Sequence, residues 1–117
     1  MAGFLGQQVP VFDMEIHYGD CADLLITDMK MASVMASELV LGSVILMRGH
    51  GVTIVGSSLP QAVYRAICTD LNARIQLQAN TLGAIKEISA GESKASVSRI
   101  NPQIKRAWDF WCKEIAS

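Results

Sequence analysis

The segment VILMRGHGVTIV, residues 44–55, joins two strand-like apolar runs through Arg48-Gly49-His50-Gly51. Two short apolar runs separated by glycines predict a β-hairpin. Glycine on each side of His50 permits positive φ and the close approach of another group, so the imidazole can be presented at the end of a strand. An imidazole presented in this way suits a metal ligand or a general base. An ordinary hairpin turn with His50 in solvent fits the same pattern, and the spacing leaves both interpretations open.

Length and composition favour one soluble domain. The 117 residues are 50% hydrophobic, which is ample for a packed core, and they carry a net charge of −1 with scattered basic residues. No apolar run reaches the roughly 18 residues that a transmembrane helix requires, and the N-terminus lacks the basic start of a signal peptide. We therefore expect a cytoplasmic protein with no nucleic-acid or membrane partner.

The three cysteines do not indicate a disulfide framework or a zinc knuckle. Cys21, Cys68 and Cys112 are odd in number and far apart, and they form no Cys-x-x-Cys pair. We expect them to be reduced and mostly to be packing residues.

The pattern before the hairpin predicts one strand and one helix. A short strand over 9–12 begins near Pro10, which suits an edge strand or a strand start. Thr27 or Asp28 is placed to cap a helix whose apolar residues recur at helical spacing and which ends near Gly42. The polar stretch 17–23 predicts no regular structure.

Helices are predicted after the hairpin. The segment Ser57-Ser58-Leu59-Pro60 begins a long helix, with a serine cap and a proline in its first turn, and Gly83 is placed to stop it. A weaker helix spans about residues 90–98, and Asn101-Pro102 opens a last helix that carries Trp108, Phe110 and Trp111. This order of elements indicates an α/β or α+β arrangement.

Neither the sheet nor a metal site is complete in this pattern. Two or three strands form a small sheet, and the apolar faces exceed their possible partners. A catalytic zinc site takes three protein ligands, whereas the chain has two histidines, His17 and His50, and no His-x-His pair. Either His50 is not a ligand or the other ligands lie elsewhere.

Six segments of the chain carry a family resemblance, and they are FLG (4–6), VPVFD (9–13), LMRGHGV (46–52), AV (62–63), NARIQ (72–76) and RAWDFW (106–111). Together they resemble the C-terminal half of the class II aldolase/adducin family, and most of all its decarboxylase branch. The resemblance covers nearly the whole chain, so residues 1–117 are expected to form the C-terminal part of a single domain. It implies a three-layer α/β/α sandwich.

The resemblance also implies a metal-dependent carbon–carbon lyase. His50 matches the third ligand of a divalent metal, zinc or alternatively manganese, and the other two ligands belong to an upstream His-x-His segment. That segment and the family's acid/base residue precede the part that corresponds to Met1. We therefore expect Met1 to be an internal methionine of a longer ancestor, reached by truncation, an alternative start, a split gene or a partial gene model. The chain alone is then expected to be inactive.

Other residues have less specific roles. In the resembled decarboxylases the C-terminal segment lies close to the site, so Arg106 is expected to offer a bidentate contact to a substrate carboxylate. Arg48 is interpreted as solvated or structural, and His17 as a surface residue. Asp13 is interpreted as a turn residue in preference to a residue that supports a metal ligand, and Arg74 as a salt-bridge partner in preference to a substrate contact. No catalytic acid or base is assigned.

Two classes of function remain open. The first is a lyase that acts on an oxo or hydroxy carboxylate, a decarboxylase or otherwise an aldolase, in a homo-oligomer that is commonly a tetramer in the family. The second is a non-catalytic, adducin-like interaction or scaffold module. His50 favours the first class, and the missing ligand pair favours the second.

Overall fold

The computed structural model describes residues 9–20, 23–39 and 42–116. These residues form two compact units, one over residues 9–55 and one from residue 56 onward. The first unit carries the strands, and the regular structure of the second is helical throughout its described residues. The mixed composition of helix and strand agrees with the predicted class, while the three-layer sandwich and the single domain stay predictions.

The N-terminal unit is built on a three-stranded sheet in the order β1-β2-β3. β1 (Val11–Phe12) pairs parallel with β2 (Val44–Met47), which pairs antiparallel with β3 (Gly51–Ile54). Parallel neighbours need a crossover connection, and here it contains α1 (Met14–Tyr18) and α2 (Met29–Glu38). The predicted hairpin and the strand before it are both confirmed.

The core of this unit surrounds β2. Phe12, Val44 and Ile45 are 0% exposed. Because successive strand residues point to opposite faces, the burial of both Val44 and Ile45 means that both faces of β2 are covered. The partly buried apolar side chains that pack against the core are Tyr18, Ile26, Met31, Val34, Met35 and Leu39. The connection between the parallel strands therefore supplies much of the cover.

Local sequence explains where the helices begin. The Asp28 carboxylate accepts a hydrogen bond from the Met31 amide at 2.8 Å and caps α2. Ser58 caps α3 (Leu59–Thr81), with proline in its first turn, as predicted. Ser89 and Glu92 form a capping box at the start of α4 (Ala90–Ile100). A 3₁₀ turn over Asn101–Gln103 then leads into α5 (Ile104–Ala116).

The structure differs from the sequence prediction at α1. This helix lies partly within the polar stretch for which no regular structure was predicted. The Asp13 side chain accepts a hydrogen bond from the Glu15 amide at 3.0 Å, so Asp13 is a helix cap rather than a turn residue. The helix is short enough to lack a detectable apolar period, which is why pattern analysis missed it.

The apolar stripe predicted along α3 is largely open. Leu71 and Ile75 are half exposed, and Leu82 at the helix end is 90% exposed.

Cys68 is buried and Cys112 exposed, and both are free thiols; Cys21 lies outside the described residues. None of the described helices has the length and apolar character needed to span a membrane.

Candidate functional site

The predicted hairpin closes through a tight turn over residues 47–50. The His50 amide donates to the Met47 carbonyl at 3.1 Å, and Gly49, the third residue of the turn, has φ +71°. A hydrogen bond of this span with positive φ at the third position is typical of a type II turn, which favours glycine there. The conformation of the turn therefore explains why residue 49 is a glycine.

A second constraint acts on Gly49 from the segment before α2. A Cβ atom at Gly49 would lie 3.1 Å from Cδ1 of Leu24. Leu24 has φ +64° and is the one non-glycine residue with positive φ in the described part of the chain. A leucine in this conformation costs free energy that other contacts must offset. The Leu24 side chain and the turn are thus in close contact.

His50 is the last residue of this turn and is exposed. Across the described ranges, no side chain forms a hydrogen bond or an ion pair with its imidazole. Nor do any three His, Cys, Asp or Glu side chains there lie close enough together to hold a metal ion. The described residues alone therefore do not fit a complete divalent-metal site, although His50 is free to serve as one ligand of such a site.

Arg48 forms ion pairs with two carboxylates. Its Nε lies 2.7 Å from Oδ1 of Asp13, and its Nη2 lies 2.7 Å from Oε2 of Glu15. The Arg48 guanidinium holds the pKa of Asp13 below its ordinary value, and a hydrogen bond from the Glu15 amide acts in the same direction. We call Asp13, Glu15 and Arg48 the carboxylate clamp. Arg48 is thus structural, as one of the sequence interpretations held.

The strand register explains why these residues meet. Val11 pairs with Leu46 and Phe12 with Met47, so Asp13 and Arg48 are the next residues after two parallel strands. The carboxyl ends of parallel strands lie at the same edge of a sheet, where ligand sites of open α/β folds are commonly found. The carboxylate clamp and the His50 turn therefore share this edge.

Sequence reasoning missed the partners of His17. Its Nε2 lies 2.8 Å from Oε1 of Glu38, and its ring stacks on Phe12 with 5.0 Å between centroids and 18° between planes. His17 is exposed, as predicted, but it has two partners that the sequence did not indicate. His17 and Glu38 are 21 positions apart, so no local spacing signals their contact.

Arg106 lies on α5 in the C-terminal unit. It lines an open groove of about 520 Å³. The other residues of the groove are Tyr64, Gln103, Ala107, Phe110 and Trp111. Among the described residues none pairs with the Arg106 guanidinium. An exposed guanidinium beside aromatic side chains can bind a planar carboxylate.

Two aromatic side chains that line this groove pack against each other. The rings of Tyr64 and Trp111 lie 6.1 Å apart between centroids and are tilted by 37°. Burial raises the pKa of Tyr64 to about 12, and interaction with Cys68 adds to this. Tyr64 is therefore a neutral hydroxyl at physiological pH.

Arg74 and Asn72, two residues of the segment NARIQ on α3, form contacts within that helix. Nε of Arg74 lies 3.0 Å from a carboxylate oxygen of Asp70, one helical turn earlier, which confirms its interpretation as a salt-bridge partner. The Asn72 side chain donates to the Cys68 carbonyl at 2.7 Å. Both contacts stay within α3.

Comparisons with known proteins identify relatives of this chain. Residues 1–77 match the family described as Class II Aldolase and Adducin N-terminal domain. The chain is 36% identical to the decarboxylase tropJ of Talaromyces stipitatus, over 98% of this chain and 51% of that protein. It is 32% identical to the 3,4-dihydroxyphthalate decarboxylase of Terrabacter sp., over 80% of this chain and 38% of that protein. The chain thus spans about half the length, or less, of these two relatives.

Proposed function

Because the chain belongs to the class II aldolase and adducin family, we propose that it is the C-terminal part of one three-layer α/β/α domain of a carbon–carbon lyase. We further propose that this lyase decarboxylates an oxo or hydroxy carboxylate. Both curated relatives described above are named as decarboxylases, which favours this reaction over an aldol cleavage. The chain covers 51% of one relative and 38% of the other, which supports the assignment to part of a domain.

One observation carries the proposal. The imidazole of His50 stands exposed between two glycines, at the end of the tight turn over residues 47–50 and at the carboxyl edge of a parallel strand pair. A hairpin needs a turn there but has no structural need for an unpartnered imidazole. The position is suited to a ligand or a substrate contact.

We propose that His50 is one ligand of a divalent metal, zinc or alternatively manganese. The described residues do not fit a complete site, so the remaining ligands must come from outside them. We therefore assign no reaction step to the metal. The role proposed for this chain is to hold one neutral imidazole in place.

Arg106 is proposed to bind the substrate carboxylate. Its guanidinium is unpaired among the described residues, and Tyr64, Phe110 and Trp111 give the groove aromatic walls. A hydroxylated aromatic carboxylate matches this combination, because the ring can stack while the carboxylate accepts two parallel hydrogen bonds. The name of the Terrabacter relative gives an acid of this class, 3,4-dihydroxyphthalate.

A chimera tests the proposal. The part of the tropJ decarboxylase that the chain does not match is joined ahead of Met1, and zinc content and carbon dioxide release from 3,4-dihydroxyphthalate are measured. We expect bound zinc and turnover, both lost in His50→Ala. Arg106→Met should raise KM or lower kcat while zinc stays bound. The matched control is Arg99→Met, an exposed arginine on α4 outside the groove.

Two outcomes would contradict the proposal. A chimera that binds zinc and retains full turnover in His50→Ala would remove His50 from the site. A folded chimera with neither zinc nor activity toward hydroxy or oxo acids would favour the adducin-like scaffold. Sedimentation of the active chimera would show whether it forms the expected homo-oligomer, a tetramer.

A further inference from the structure

The imidazole of His50 has no support of its own among the described residues, so its direction depends on the backbone of the turn. The turn contains a hydrogen bond from the His50 amide to the Met47 carbonyl, and Met47 pairs with Gly51 across the hairpin. The glycines on both sides of His50 give its backbone conformational freedom, because glycine has no Cβ atom. A contact that ties the neighbouring backbone to the rest of the unit limits that freedom.

Arg48 makes the contacts that can do this. Its amide donates to the Phe12 carbonyl at 3.0 Å, while its guanidinium pairs with Asp13 and Glu15 at 2.7 Å each. All three acceptors lie in the four consecutive residues 12–15, where β1 ends and α1 begins. The residue two positions before His50 is thus attached to the sheet through its backbone and to the helix start through its side chain.

The two carboxylates are not equivalent. The Asp13 side chain is 21% exposed and is already oriented as the cap of α1, whereas the Glu15 side chain is 56% exposed. A carboxylate that is fixed by a second hydrogen bond orients its partner better than a solvated one. Asp13 is therefore the principal anchor of the carboxylate clamp.

Exposed ion pairs of this kind contribute little to global stability because solvent screens them. Their geometric effect is different, since the planar guanidinium fork pairs with both carboxylates in one orientation. We propose that Arg48 is a positioning residue, and that the carboxylate clamp sets the direction in which the turn presents His50. The role of Arg48 as a positioning residue rests on the proposed function of His50. Its effect on the order of the turn does not depend on that function.

The test is ¹⁵N relaxation of the 117-residue chain, which gives backbone order parameters for Gly49, His50 and Gly51. We expect order parameters of about 0.85 in the unmodified chain and below about 0.6 in Arg48→Met. Arg48→Lys should be intermediate, because an ammonium cannot reproduce the fork. Asp13→Asn, which keeps a capping side chain, should lower the order more than Glu15→Gln.

Arg74→Met is the matched control, since it removes an exposed arginine–aspartate pair within α3. It should leave the order of the turn unchanged. Equal order in Arg48→Met and the unmodified chain would overturn the proposal, as would an equal loss of order in Arg74→Met.

A second measurement needs no variant. Raising NaCl from about 0.05 M to about 1 M shortens the screening length to about 3 Å and weakens exposed ion pairs. The order of His50 should fall while that of Ile45 in β2 stays constant. Constant order at both residues would overturn the proposal even if Arg48→Met failed to fold. Because neither measurement involves metal or substrate, an inactive chimera would leave this result intact and would count against the proposed function alone.

Discussion

His17 Nε2 lies 2.8 Å from Oε1 of Glu38, and this contact joins the two helices that connect β1 to β2. His17 belongs to α1, and Glu38 is the last residue of α2. The same imidazole stacks on Phe12, a fully buried residue of β1. A single side chain therefore links both helices and the core of the N-terminal unit.

Replacing His17 with alanine should destabilise the chain. The variant loses one hydrogen bond and one ring stack, which together are worth about 1–2 kcal/mol of the free energy of unfolding. His50→Ala is the matched control and should change this free energy by less than about 0.5 kcal/mol, because His50 is exposed and unpartnered in the described structure. Urea denaturation of both variants measures the difference. Similar values for the two histidines would contradict the linking role of His17.

Gly49→Ala should be destabilising for two reasons. A non-glycine residue at φ +71° costs about 1–2 kcal/mol, and the new methyl group would lie 3.1 Å from the Leu24 side chain. Gly51→Ala is the control, since nothing lies within 4 Å of its Cβ position and its φ is not positive. The midpoints of thermal unfolding should fall for the first variant alone. A neutral Gly49→Ala would mean that the turn changes type at little cost.

Much of the secondary structure could be predicted because it is encoded locally. The hairpin follows from two apolar runs around glycines, and α3 follows from Ser58 and Pro60. The parallel pairing of Val11 with Leu46 has no local signal, since the two residues are 35 positions apart. The pairing depends on tertiary contacts that a pattern along the chain does not contain.

The site was predictable to the same degree. His50 at the end of the turn follows from the glycines beside it. The carboxylate clamp does not, because Asp13 meets Arg48 only through the register of β1 on β2. The contact of His17 with Glu38 could not be predicted for the same reason, since Glu38 lies at the far end of another helix.

Asp13 should make stability depend on acid pH. Arg48 lowers the pKa of Asp13 in the folded chain below its ordinary value of 3.8. A group whose folded pKa is lowered contributes stability above its unfolded pKa, and that contribution is lost as the pH falls through the folded pKa. The difference in free energy of unfolding between the unmodified chain and Asp13→Asn should therefore shrink below about pH 4. Urea titrations at a series of pH values check this, and a pH-independent difference would contradict it.

The open stripe on α3 should drive association of the isolated chain. Leu71 and Ile75 leave half of their surface in water, and apolar patches of this kind promote self-association. Leu71→Lys combined with Ile75→Lys should shift sedimentation toward monomer. Gln78→Lys, an added charge at an exposed position of the same helix, should not. A chain that is monomeric at all concentrations before any substitution would contradict this expectation.

The 117-residue chain should retain no zinc after dialysis. Useful affinity needs several ligands in fixed geometry, and the described residues offer no set of three. Elemental analysis should give the same background for the unmodified chain and for His50→Ala. Stoichiometric zinc that is lost in His50→Ala would require ligands that the described residues do not supply.

The parallel pairing of β1 with β2 also sets an order of events during folding. The β2–β3 hairpin joins neighbouring residues and can form within about 1–10 μs, whereas β1 must first close a long loop before it reaches β2. The turn that carries His50 is then assembled before residues 12–15 arrive beside it. We expect the Arg48 ion pairs to form late, so that the small destabilisation caused by Arg48→Met appears in the unfolding rate rather than in the folding rate. The carboxylate clamp would thus matter for the geometry of the folded site but have little influence on the rate of folding.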